Sequence, residues 1–157
     1  MSDDQVNQAS QWDDGRELTP CPSLPEVVLK HLRNRPPRAP QEGFGGLRMR
    51  TYKARLTGVS QAPTQIFSTW MDHFPATWPD GNYFIPCVPA LQPGVTAAIL
   101  LSMPAGMRIV TGARVVFRDE TSLTLMTLFG HMFAGLITFS VFEEGPTPVI
   151  QVQALVR

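Results

Sequence analysis

Three histidines, His31, His73 and His131, are the side chains of this sequence best suited to moving a proton near neutral pH. His131 is the most conspicuous. It stands in Thr127-Leu-Phe-Gly-His-Met-Phe-Ala-Gly135, a glycine-bracketed turn between two strand-like segments. There it could exchange a proton or orient a ligand, or its ring could hydrogen-bond the turn backbone while Gly130 and Gly135 supply dihedrals that other residues avoid. No acid, cysteine or second histidine lies close to it in sequence, so the turn reads first as architecture. His73 ends a helical segment, where an imidazolium meets the negative end of the helix dipole. His31 lies on an amphipathic segment and reads as solvated surface. Arg108, Arg114 and Arg118 could grip phosphates, yet their spacing is that of the solvent side of a strand. Trp70 and Trp78 could stack on a planar ligand or complete a core.

Cys21 and Cys87 are the only cysteines. Neither has a neighbouring base or the spacing of a zinc site, so no nucleophile, metal site or disulfide framework is expected. The sequence has no G-x-S-x-G, no glycine-rich phosphate loop after a strand and no H-E-x-x-H. The common hydrolase and nucleotide-binding classes are thereby disfavoured. No catalytic residue, metal ligand or cofactor is assigned.

The 157 residues suffice for one domain with a real core. Thirteen basic residues balance thirteen acidic ones, so no overall field draws in nucleic acid or a membrane, and neither partner is expected. The charges are unevenly placed: residues 1–17 carry five acids and one arginine, whereas Lys30, Arg33, Arg35, Arg38, Arg48 and Arg50 face only Glu42. The acidic start has no apolar signal region, which points to the cytoplasm. The uncharged run from Gly81 to Met107 is broken by four prolines and reads as a loop and a buried strand rather than a membrane span.

Residues 1–22 are polar and read as a flexible leader. Ser23-Leu-Pro-Glu26 has the form of a capping box, opening a short amphipathic helix to about Asn34. A Pro/Gly-rich linker to residue 46 comes next, and the domain boundary is placed at Leu47. Tyr52, Ala54 and Leu56 alternate with Lys53, Arg55 and Thr57, as in a strand buried on one face. Pro63 to Phe74 then predicts a helix with Ile66, Phe67, Trp70, Met71 and Phe74 on one side. Strands are expected near Tyr83–Val88, Val95–Met103, Met107–Arg118, Ser122–Phe129, Leu136–Glu143 and Val149–Val156, joined as an antiparallel meander. In the third of these, Met107, Ile109, Thr111, Ala113, Val115 and Phe117 take one face and the three arginines the other. The fold class is α+β, a curved antiparallel sheet of about seven strands around a helix.

This order of elements, with the hairpin Thr127-Leu-Phe-Gly-His-Met-Phe-Ala-Gly135 and Phe139 in the next strand, resembles the START-like helix-grip superfamily, also called SRPBCC or polyketide-cyclase-like. Within it, the hairpin is similar to the T-L-P-G-H-P-x-x-G pattern of an uncharacterised bacterial family. Phe129 and Met132 stand here at the proline positions, and Leu136 at that of an acid. The superfamily carries a C-terminal helix against the concave face of its sheet, whereas this chain ends in strand at Arg157. Either the sequence is a fragment, or something else covers that face, the helix Ser23–Asn34 or a partner subunit.

A sheet gripping a helix leads to an expected cavity between the two, suited to a small apolar or aromatic molecule. Its candidate lining is Trp70, Phe74, Met103, Ile109, Val115, Leu125, Thr127, His131, Phe139 and Val152. Non-catalytic binding of such a molecule is the leading expectation. The resemblance also permits a cyclase or aromatase using His131 or His73 as acid or base. A third reading is an oligomerisation module, a homodimer formed through the uncovered sheet face.

Overall fold

Two helices sit on opposite faces of a single sheet, and the pattern of small and large residues along the middle strands explains why both fit. The structure, a computed structural model, describes residues 23–157; the leader 1–22 and Cys21 lie outside them. Its strands are β1 (Arg48–Arg55), β2 (Tyr83–Pro86), β3 (Thr96–Ser102), β4 (Arg108–Arg118), β5 (Ser122–Thr127), β6 (Gly135–Glu144) and β7 (Thr147–Val156), with helices α1 (Glu26–Arg33) and α2 (Pro63–Asp72). The seven strands form one antiparallel sheet in the order β1-β7-β6-β5-β4-β3-β2. Sequence neighbours pair throughout the meander, and β1 closes onto β7. The six later strands fall within a few residues of the sequence expectation.

Pro63 opens α2, where a missing amide costs nothing, and the Gln65 Oε1 accepts the Ala62 amide at 3.3 Å. The helix ends at Asp72, slightly before the expected Phe74, and Phe74-Pro-Ala-Thr77 continues as a 3-10 turn. Ile66, Phe67, Met71 and Phe74 bury their side chains against Ala97, Ile99, Val115, Leu123, Leu125, Phe139 and Val141 on the concave face. Phe74 lies at the centre, edge-on to Phe139 at 4.8 Å and to Phe84 at 5.1 Å between ring centroids. Each fully buried ring of this kind contributes about 1.5–3 kcal/mol.

On the opposite, convex face, Leu32 of α1 packs with Ala98 and Leu128, flanked by Leu24, Val28, Leu29 and Ile85. Small residues make this approach feasible: a Cβ on Gly112 would stand 2.9 Å from the Leu128 Cδ1 and 3.5 Å from the Leu32 Cδ2. Strand β3 is therefore buried on both faces from Thr96 to Leu100, which accounts for its unbroken apolar run. α1 does not substitute for a helix on the concave side, because Ala98 and Gly112 point away from it. Nor does the Ser23–Glu26 capping box form: Pro25 is the N-cap, and Glu26 pairs with Arg33 instead.

Two further expectations change. Strand β1 is exposed along its whole length rather than buried on one face, because it is the sheet edge and lies beyond α2. The clean split of β4 fails at a bulge between Val115 and Phe117. The extra residue Val116 reverses the facing of the residues after it. Val115 stays buried, Phe117 turns outward, and Arg118 turns inward, its guanidinium 6.0 Å from the centroid of Phe67 while Nη1 donates to the Leu91 carbonyl at 3.1 Å.

Candidate functional site

The concave face falls into a closed half and an open half. Under α2, the rings of Trp70, Phe74, Trp78, Phe84 and Phe139 meet at 4.8 to 6.3 Å, so side chains fill the space where helix and sheet touch. Beside this contact the sheet continues uncovered. Strand pairing puts Leu101 opposite Ile109, Val152 opposite Phe139 and Tyr52 opposite Val152. Leu101, Ile137 and Val152 are half-buried, while Ile109 is 39% exposed and Tyr52 61%.

Of the residues singled out in the sequence, Phe74, Val115, Leu125 and Phe139 meet in the buried core, and half-buried Trp70 and Val152 pack against it. Thr127 is also buried, but its Oγ1 accepts the Gly135 amide at 2.9 Å and so ties the two ends of the β5–β6 turn together. Ile109 lies on the open half. Met103 sits apart, half-buried at the β3–β4 connection, where its amide donates to the Met107 carbonyl at 2.8 Å. His131 belongs to the turn and is not part of the core cluster.

The His131 Nδ1 accepts the Phe133 amide at 3.0 Å, and burial holds its imidazole below the ordinary histidine value. Its Nδ1 lone pair is thus engaged by the main chain. The His73 Nδ1 lies 2.9 Å from the Thr69 carbonyl at the exposed end of α2, as a helix-terminal residue would. His31 has a neighbour that the sequence did not reveal, the Arg35 Nη2 at 2.9 Å from its Nε2. Burial raises the Cys87 thiol, with the Arg33 charge opposing it, so the thiolate is disfavoured. Among the described residues no cluster of His, Cys, Asp and Glu is arranged to hold a metal ion, and no helix is long and apolar enough to cross a membrane.

Two polar groups on the concave side were not among the expected lining. One is Arg118, concealed by the bulge. The other is Thr111, which is 1% exposed and whose Oγ1 has no hydrogen-bond partner among the described residues. Its polarity amid the alternating apolar positions of β4 was the available signal.

No protein-family model matches the sequence, and no curated protein matches it either. Solved structures do. The major latex-like protein 151 from Panax ginseng is 13% identical with a TM-score of 0.51, the match covering 72% of this chain and 80% of that one. A structural-genomics protein from Deinococcus radiodurans is 9% identical with a TM-score of 0.53, covering 70% of this chain and 82% of that one. The di-domain ARO/CYC StfQ from the steffimycin biosynthetic pathway is 10% identical with a TM-score of 0.50, covering 70% of this chain and 36% of that one. At such identities the likeness is one of fold. The sheet wrapped on α2 has an α+β helix-grip-like fold.

Proposed function

We propose that this protein binds a small apolar or aromatic molecule without chemically transforming it, using the open half of the concave face beside α2. The observation that carries the reading is the strip of uncovered apolar side chains on the β6–β7–β1 side, half-buried Ile137 and Val152 with exposed Tyr52, beside Phe139 and the Trp70 ring that meets it. A molecule laid there would remove apolar surface from water on both sides, worth about 25 cal/mol per Å². The Tyr52 phenol supplies a polar handle at the margin of the strip. No carboxylate belongs to the strip, which suits an uncharged ligand.

The test is titration with Nile red, a neutral apolar dye, monitored by dye emission and tryptophan quenching. Tyr52→Asp should weaken the dye about tenfold, since a charge on the strip must be desolvated beneath the ligand, while circular dichroism stays unchanged. Unchanged dye affinity in that variant would overturn the reading. Sedimentation at several concentrations gives a second arm: self-association abolished by Tyr52→Asp would assign the strip to a homodimer interface instead.

A further inference from the structure

The balanced total charge conceals a basic and aromatic surface at one end of the sheet. After α1, the chain crosses this end in extended form. The Arg38 amide donates to the Thr127 carbonyl at 2.7 Å and the Phe129 amide to the Pro36 carbonyl at 2.9 Å, with Pro37 bridged to Leu128. The segment thereby occupies the place beside β5 that β6, which begins only at Gly135, leaves vacant.

This docking brings two apolar tips together. One is Phe44, 89% exposed on the loop Gly43-Phe-Gly-Gly46, where added Cβ atoms on Gly45 and Gly46 would meet nothing. The other is the β5–β6 turn, with Phe129 60%, Met132 50% and Phe133 48% exposed. Arg38 joins them, its Cζ lying 5.8 Å from the Phe44 centroid and 5.6 Å from that of Phe129. Arg35 donates to the Phe129 carbonyl at 3.2 Å. Both guanidiniums bond carbonyl oxygens and neither forms an ion pair among the described residues, while the single Glu42 carboxylate, which accepts the Ala39 amide at 2.7 Å, offsets only part of their charge. Arg48 adds a further charge four residues beyond Phe44 and takes part in no ion pair among the described residues.

We infer that this end of the molecule docks on an anionic phospholipid surface, with Phe44, Phe129, Met132 and Phe133 entering the headgroup boundary and Arg35, Arg38 and Arg48 meeting lipid phosphates. The tips protrude from turns. A fluid interface accepts protruding side chains without needing a complementary groove, and it rewards the combination of apolar insertion with cationic flanks. Guanidinium over aromatic rings keeps Arg38 at the depth where phosphates lie. Single-stranded nucleic acid also meets arginines and aromatics, but exposed Met132, Leu47 and Met49 offer it no stacking face.

Co-sedimentation of the full chain with phospholipid vesicles tests this. Binding is expected to vesicles containing about a third phosphatidylglycerol and not to pure phosphatidylcholine. It should fall about tenfold or more in the Phe44→Ser, Phe129→Ser double variant and weaken similarly as salt rises from about 0.1 M to about 0.5 M. Thermal melting of the variant checks that it folds; both phenylalanines are exposed, so its midpoint should be unchanged. Tyr52→Asp, which acts on the concave strip, should leave vesicle binding intact. Absence of binding to the anionic vesicles, binding indifferent to the two phenylalanines, or displacement from vesicles by a single-stranded oligonucleotide would each overturn the inference.

Discussion

The same two strands, β3 and β4, carry a helix on each face, and the two contacts are built differently. Toward α2 they present Ala97, Ile99, Ala113 and Val115 to a helix rich in large rings, and the resulting core includes Phe67, Phe74, Phe84 and Phe139. Toward α1 they present Ala98 and Gly112, so the helix approaches closely and secures itself mainly through Leu32 and Leu128. The first contact rests on burial of aromatic area. The second rests on a close fit around small residues, reinforced by hydrogen bonds in which the Arg114 Nη2 donates to the Arg33 and Arg35 carbonyls at 2.8 and 2.9 Å. One face therefore determines whether the sheet folds, whereas the other determines whether residues 23–46 stay attached to it.

Truncating the centre of each contact would separate them. Phe74→Ala should cost about 3–5 kcal/mol and lower the denaturation midpoint of the whole domain. Leu32→Ala should cost about 2–3 kcal/mol, and its first sign in hydrogen exchange should be loss of protection in α1 and at the Arg38 amide, with β3 to β6 still protected. Because the sheet separates the two sites, the double variant should be additive within about 0.5 kcal/mol. Strong coupling in denaturant titrations would mean that the faces act as one unit.

A smaller effect is expected where residues 35–38 meet the β5–β6 turn. Gly130 has φ +90°, and a Cβ there would fall 2.6 Å from the Arg35 Nη1. Gly130→Ala should cost on the order of 1 kcal/mol, read as faster exchange at the Arg38 and Phe129 amides while α2 is unaffected. If α2 protection dropped equally, the contrast between the two contacts would be wrong.

The contrast was only half legible in the sequence. The α2 side announces itself through helical spacing of large residues and the alternating strands after them, signals that survive without knowledge of the partner surface. The α1 side depends on what is missing at Ala98 and Gly112, and absent side chains mark no face until the pairing register is known. The same holds for the docking of Pro36–Arg38. A proline segment reads as a linker, although its carbonyls and remaining amides can complete a sheet margin. Arg118 and Phe117 were misassigned because one inserted residue, Val116, reverses the alternation on which the reading depended. The open half was unreadable in a further sense: Ile109 and Val115 share a face and a period, yet one is exposed and the other buried.

The finest test of the α1-side contact uses pH. Burial depresses the folded-state pKa of His131, and a proton added at Nδ1 would have to break its bond from the Phe133 amide. The unfolded chain, titrating near the ordinary value of about 6.5, then binds more protons than the folded one below that pH. Stability should be fully present above about pH 6.5–7 and decline as pH falls toward the lower folded-state value. His131→Asn keeps an oxygen able to accept the Phe133 amide but cannot titrate. Its melting temperature should lose this acid-side slope while staying close to the parent at pH above 7. A slope that persisted in the variant would place the titrating group elsewhere, whereas one that vanished together with acid-induced exposure of the Arg38 amide would tie the imidazole to the seating of the N-terminal segment.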